Sequence, residues 1–421
     1  MSENKKQPLV PRLRFPEFFD DQSWSFQSLG RLARRSTKKN TDGDITRVLT
    51  NSAEYGVIDQ RDFFDKDIAN QGNLEGYYIV EEGDYVYNPR ISSTAPVGPI
   101  SKNRIGLGVM SPLYTVFRFN NTQNDIYAHY FKSTHWHQYM RQASSTGARH
   151  DRMSITNDDF MGLPLPVSKP EEQQKIADCL SSLDDLIAAE TQKLDTLKTH
   201  KKGLMQQLFP REGETVPRLR FPEFRGAGGW EVKALDQLGE LVSGLTYSPD
   251  DVRDEGLLVL RSSNVQDGRI VLDDNVYVRS DIKGASPSLP NDILICVRNG
   301  SKSLIGKNAL IPEDMPPCTH GAFMTVFRSG AAKFIIQLFQ TEAYERQVAA
   351  DLGATINSIN GNQLKKYKFR VPEAKEQQVI ADCLSSFDDL ITAQTQKIDA
   401  LKTHKKGLMQ QLFPTLDEVG A

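Results

Sequence analysis

Two arginines stand in matching surroundings and are the residues best placed to do chemistry. Arg90 closes "DYVYNPR" (Asp84–Arg90) and Arg298 closes "DILICVR" (Asp292–Arg298). Each ends an apolar strand and leads into a loop of small polar residues, "ISST" with Ser92, Ser93 and Thr94, and "NGSK" with Asn299, Ser301 and Lys302. Such loops bring backbone amides and hydroxyls close to phosphate oxygens while an arginine reaches a base edge. Lys102, Arg104, Arg149 and Arg152 add positive charge in the first region, and Lys307, Lys365 and Lys366 in the second. The net charge is only −3, so any basic face must be local. It is segregated along the chain. Asp42–Asp84 holds three basic and eleven acidic residues, whereas Tyr85–Asn157 holds eight basic and two acidic. That is the electrostatic footprint expected of a nucleic-acid reader.

Other chemistries fail on spacing. "GSKSLIGK" (Gly300–Lys307) has five residues between its glycines and Asn308 after its lysine, where a phosphate-cradling loop needs four and a Ser or Thr. "YNPR" (Tyr87–Arg90) lacks the second proline and the aromatic of an amino-methyltransferase motif. His135 and His137 in "HWH" lack a third nearby ligand, so no metal site is expected. No Ser/His/Asp arrangement is evident. The four cysteines (Cys179, Cys296, Cys318, Cys383) form no CxxC pair, which fits a reduced, cytoplasmic setting. No apolar run approaches the ~18 residues of a membrane span.

The elements that position these residues are organised by a repeat. "LKTHKKGLMQQLFP" occurs at Leu197–Pro210 and again at Leu401–Pro414, and Glu172–Pro210 aligns with Glu376–Pro414 with six differences over 39 positions. "PRLRFPEF" occurs at Pro11–Phe18 and Pro217–Phe224, and "TVFR" at Thr115–Arg118 and Thr325–Arg328. The chain is therefore two tandem units. Each has a basic-aromatic motif, a divergent domain and a near-identical tail.

The divergent domains read as mixed α/β. "YYIVEEGDYVYNP", "LYTVFRF", "GLLVLRSSNV", "DILICVR" and "FMTVFRS" are strands; "DIYAHYFKSTHWHQYMRQA" and "AKFIIQLFQTEAYERQVAADL" are helices. The tails are long helices of roughly 55–60 Å at ~1.5 Å per residue. Their apolar positions, Ile176, Leu180, Leu183, Ile187, Leu194, Leu197, Leu204 and Leu208, recur in threes and fours as a coiled-coil seam. Two seam positions are polar in each copy, Glu190 and Lys201, then Gln394 and Lys405. Antiparallel packing that sets Glu190 against Lys405 sets Gln394 against Lys201. It also puts Leu194 on Leu401, Leu197 on Ile398, Ile187 on Leu408, Leu183 on Leu412, Leu204 on Ile391 and Leu208 on Phe387. A pseudo-two-fold relation between the repeats is expected from this closure.

Two divergent domains, each followed by a repeated helix opening "EEQQKIADCL" or "KEQQVIADCL" and closing "LMQQLFP", resemble the specificity subunit of type I restriction-modification systems. The "PRLRFPEF" repeats and the "TGARHDRMS" and "LGATINSIN" loops agree with it. The resemblance implies a mixed α+β fold of two strand-rich target recognition domains joined by two long helices in an antiparallel coiled coil. Its segments would be an N-terminal basic-aromatic segment (1–19), recognition domain 1 (20–168), spacer helix 1 (169–210), a linker (211–229), recognition domain 2 (230–372), spacer helix 2 (373–414) and a C-terminal tail (415–421). It also implies a non-catalytic subunit of a host-defence complex that binds double-stranded DNA at a bipartite, asymmetric target. One half-site would be read per domain, with the half-sites about one DNA turn, ~34 Å, apart. Partners would be two methyltransferase subunits and restriction/translocase subunits. S-adenosylmethionine, ATP and Mg, and with them DNA methylation and cleavage, would belong to those partners and not to this chain. A competing reading of the same residues is a coiled-coil scaffold whose globular domains bind proteins. Salt-dependent binding to one bipartite sequence separates the two.

Overall fold

The computed structural model describes residues 9–63, 74–144, 151–352 and 357–415. The chain forms two compact units, Met1–Thr191 with Lys397–Ala421, and Gln192–Gln396. Both borders fall inside the long helices, Pro170–Leu208 and Ala374–Leu412. Each unit is thus completed by half of a helix that the other repeat encodes.

In the first unit, the central sheet is antiparallel and four-stranded, in the order Ala33–Arg35, Thr115–Phe119, Tyr85–Tyr87, Ile100–Lys102. Alternation sends its two faces into two cores. Tyr85, Tyr87, Phe117 and Phe119 point to one, with Trp24, Leu29 and Trp136. Val86 and Val116 point to the other, with Leu49, Val57, Val80 and Met110. The strand Ser25–Ser28 pairs with Pro164–Val167 and brings the domain's end back to its start.

The second unit repeats this plan. Its sheet runs Glu240–Ser243, Met324–Arg328, Ile293–Cys296, Asn308–Leu310, all antiparallel. Glu231–Ala234 pairs with Lys368–Val371 as the closing ribbon. A second sheet, Val252–Arg253, Val276–Val278, Leu257–Leu260 and Cys318–His320, contains one parallel pairing.

Neither predicted domain helix is continuous. The first splits into Asp125–Tyr130 and His137–Ala143, the second into Ala332–Leu338 and Glu342–Asp351. Hydroxyls make both breaks. Ser133 Oγ donates to the Tyr130 carbonyl at 2.7 Å and Thr341 Oγ1 to the Leu338 carbonyl at 2.7 Å, capturing acceptors that a continuing helix would use.

The repeated motifs turn out to be joints. Arg14 is buried and grips buried Glu172, in the first turn of the first long helix, through two bonds of 2.7 and 2.9 Å. Arg220 grips Glu376 in the same way at 2.8 and 2.7 Å. The preceding leucines tie down helix ends. Leu13 N donates to the Gln411 carbonyl at 2.9 Å, and Leu219 N to the Gln207 carbonyl at 3.0 Å. The phenylalanines that end each tail fill a domain core. Phe413 meets Tyr130 in the first unit, and Phe209 meets Trp230 and Phe334 in the second.

In both units the start of one long helix lies against the end of the other, running in opposite directions. All sixteen interface positions named from the sequence are buried or half-buried. Their register differs from the one expected. Glu190 meets Lys397 and not Lys405, which lies two turns further on and is held by Asp184. Lys201 meets Asp388 at 2.7 Å and Gln340 at 2.9 Å. Phe387 stands beside the ring of His200 at 5.3 Å, while Leu208 joins the core that holds Ile380, Ala381 and Leu384. The cause is the heptad itself. Sliding one helix by seven residues again sets leucine on leucine, so layer closure does not choose between the two registers. The buried lysines do choose, by reaching aspartates beside the seam.

Candidate nucleic-acid interface

In the first unit, Arg90 is delivered by a strand whose other residues are locked. Tyr87 stacks on Phe160 at 4.8 Å, and burial pushes its hydroxyl above the ordinary tyrosine value. Asn88 donates to the Asn51 carbonyl at 3.0 Å and accepts from Arg90 N at 3.0 Å. The backbone beyond is zipped to a second loop. Ile91 N donates to the Asp151 carbonyl and Met153 N to the Pro89 carbonyl, which sets Arg90 directly opposite Arg152. Ser92 and Thr94 share a hydrogen bond of 3.1 Å and leave their loop exposed, together with Ser93. Arg90, Ser92, Thr94 and Arg152, with Asn51, Glu54, Leu113 and Tyr114, line an open cleft of about 550 Å³. Among the described residues, no carboxylate lies within ion-pair distance of Arg90. Arg152 lies 3.6 Å from the Asp151 carboxylate, so Arg90, beside an exposed hydroxyl loop, is the member of the pair that suits an anion with a flat face, as a nucleotide has.

The second unit repeats the arrangement with other contacts. Val297 N and Arg298 N both donate to the Phe323 carbonyl, at 3.0 and 3.1 Å, and the Arg298 guanidinium lies 5.7 Å from the centre of the Phe323 ring. Arg298 stands opposite Ser358, in a ladder that matches that of Arg90 and Arg152. Asn299 donates to Ser262 Oγ at 2.9 Å and accepts from Ser301 N, and Ser301 bonds Ser303 at 2.9 Å. Here too no described carboxylate pairs with the arginine. Lys302 and Lys307 are exposed in the same loop, and Lys365 and Lys366 are exposed after the short helix Gly361–Leu364.

Two tandem sheets of one topology, each leading to an arginine with no described carboxylate partner, meet a known pattern. The type I restriction modification DNA specificity domain matches residues 33–199 and again 227–403. The chain belongs to this family. The specificity subunit of the type I restriction enzyme MjaVIII from Methanocaldococcus jannaschii is 25% identical over 307 residues, which is 70% of each chain. That of EcoKI from Escherichia coli K12 is 29% identical over 168 residues, 38% of this chain and 36% of that one. The crystal structure of the type I restriction-modification S subunit from M. genitalium covers 97% of this chain and all of its own at a TM-score of 0.58, and with 12% identity the likeness is one of fold. Sequence-specific DNA recognition is the business of these specificity domains.

Other residues named from the sequence are engaged elsewhere. Lys102 and Arg104 both bind Asp125, at 2.9 and 2.7 Å, and Lys102 also lies over the Tyr85 ring. Arg118 grips fully buried Asp84 at 2.6 Å and Glu81 at 2.8 Å. Arg328 grips buried Asp292 at 2.7 Å in the same way. The basic surplus of Tyr85–Asn157 is therefore partly neutralised in space, by Asp125 within that stretch and by Glu81 and Asp84 just before it. Arg149 lies outside the described residues. Among the described residues, no group of three or more His, Cys, Asp or Glu side chains could hold a metal, and no helix is long and apolar enough to cross a membrane. Sequence reading missed Leu113 and Phe323, which stand 58% and 57% exposed at the tips of equivalent turns. The available signal was their common place, two residues before "TVFR".

Proposed function

We propose that each specificity domain reads one half of a bipartite, asymmetric DNA target, and that the chain thereby directs methyltransferase and restriction subunits to that site. The observation that carries the reading is the repeated placement of Arg90 and Arg298. Each ends a buried strand, each stands on a loop of exposed hydroxyls and amides, and neither is neutralised by a described acid. Phosphate contacts from the loops would hold the domain on the duplex, and the arginines would reach guanine edges in the major groove. The shared frame gives both domains the same approach, and their different side chains give different half-sites. No reacting group is needed in such a chain, since methyl transfer and cleavage fall to the partners.

The test begins with the methylated positions in a host that expresses the system, which define the target. Arg90→Ala should then weaken binding of the cognate duplex by about 1–3 kcal/mol and that of random duplex much less, with the loss confined to one half-site. Arg298→Ala should do the same for the other half. Equal losses on cognate and random duplex, with a salt dependence shallower by about one unit, would reassign the arginines to phosphate. Unchanged affinity in both variants would remove them from the interface.

A further inference from the structure

Leu113 and Phe323 occupy one position of the fold in the two units. Each lies at the turn that enters the Thr115–Phe119 or Met324–Arg328 strand, on the edge where the recognition arginine emerges. Both are large, apolar and more than half exposed. Neither is on a loose loop. The Phe323 carbonyl takes two backbone bonds from Val297 and Arg298, and Tyr114, next to Leu113, bonds Thr50 at 3.0 Å. Leu113 lines the cleft that holds Arg90 and Arg152, and Arg298 lies over Phe323.

We infer that Leu113 and Phe323 are specificity-determining residues, each packing on the 5-methyl group of a thymine next to the base that its arginine reads. The inference rests on the DNA-reading function proposed above. The chemistry follows from the base edges. In the major groove the thymine methyl is the one apolar group, and a leucine or a phenylalanine edge complements it while the neighbouring arginine takes a guanine. A rigid apolar tip beside a charged one would read a G·C pair and an A·T pair in succession. The Arg298 guanidinium lies 5.7 Å from the centre of the Phe323 ring, so the charged and the apolar tip are neighbours. Each half-site must then contain an A·T pair adjacent to the G·C pair.

The test uses the full chain, the cognate duplex and a duplex in which uracil replaces that thymine in one half-site. Phe323→Ala should bind the cognate duplex about four- to fifteen-fold more weakly, the range for loss of one or two methyl-sized contacts. It should leave random duplex and the thermal melt unchanged. The uracil duplex should cost the parent chain a similar factor and cost Phe323→Ala nothing more. Leu113→Ala should behave likewise in the other half-site. A Phe323→Ala chain that binds as the parent does, while Arg298→Ala still loses cognate affinity, would overturn the methyl contact and leave DNA reading intact. Loss in Phe323→Ala that is the same with thymine and uracil would make the ring a wedge between base steps, which also overturns it. Indifference of both Arg298→Ala and Phe323→Ala would instead break the underlying DNA face.

Discussion

The surroundings of Asp184 in the first unit and of Asp388 in the second are the same site built twice, with two exchanges of chemistry, His129 for Gln337 and Lys132 for Gln340. In the first, Asp184 faces Lys405, Lys132 and His129. In the second, Asp388 faces Lys201 and Gln337, and Gln340 bonds Lys201. The buried lysine and its aspartate are identical in both, and so are Arg14–Glu172 and Arg220–Glu376, and Asp84–Arg118 and Asp292–Arg328. The groups that differ either surround these pairs or line the recognition face, where Leu113 and a cleft in one unit answer to Phe323 and a stacked arginine in the other. Repetition therefore marks the ion pairs that hold the frame, and divergence marks what the frame presents.

The strongest way to break this comparison is to remove one acid from each frame. Glu172→Ala strands Arg14, and Glu376→Ala strands Arg220, each a guanidinium almost wholly out of water. Loss of one partner of a buried pair costs about 3–5 kcal/mol. Urea melts should show losses of that size in both variants. A large loss in one and none in the other would mean that the repeated sequence does not do repeated work.

A sharper test uses the exchange of His129 for Gln337. Burial, with Lys405 and Lys132 nearby, pushes His129 down to about 4. An unfolded chain takes up that proton near pH 6.5, so between pH 6.5 and pH 4 the unfolded state holds more protons and stability falls as pH falls. The full effect is roughly 3 kcal/mol, reached below pH 4. Gln337, at the matching place, carries no such proton. His129→Gln should therefore flatten the fall in stability between pH 7 and pH 4 by an amount approaching that value, without loss at pH 7. His137, also pushed down to about 4, contributes its own slope to both chains and cancels in the difference. Parallel pH–stability curves would show that His129 is not held neutral.

The period of the pattern made the tandem architecture, the strands and the two long helices legible in the sequence. Arg90 and Arg298 were legible because repeat, strand and loop agreed at both places. Three features were hidden, each for a physical reason. The helix breaks depend on single hydroxyls, at Ser133 and Thr341, inside otherwise helical patterns. Lys102 and Arg104 look like partners of Arg90 by charge, but Asp125, 23 and 21 residues away along the chain, holds both. The basic motif "PRLRFPEF" looks like a surface contact, yet its second arginine is buried against a glutamate 158 residues away in one copy and 156 in the other. Local charge patterns do not say where the compensating charge will fold to.

The smallest effect decides the register of the helix pair. Glu190 is 13% and Lys397 52% exposed, so their bond is a partly solvated ion pair and its coupling should be only about 0.2–1 kcal/mol. A double-mutant cycle isolates that coupling from whatever each substitution does alone. The cycle of Glu190→Gln with Lys397→Gln should give a favourable coupling of that size, diminished in 1 M salt, where the screening length falls to about 3 Å. The cycle of Glu190→Gln with Lys405→Gln should give a coupling near zero. Lys405→Gln is itself destabilising, because Asp184 then keeps only the weaker company of Lys132 and His129, but that cost is common to both arms of the cycle. A coupling that appeared with Lys405 and vanished with Lys397 would restore the register one heptad away, in which the seam leucines close equally well.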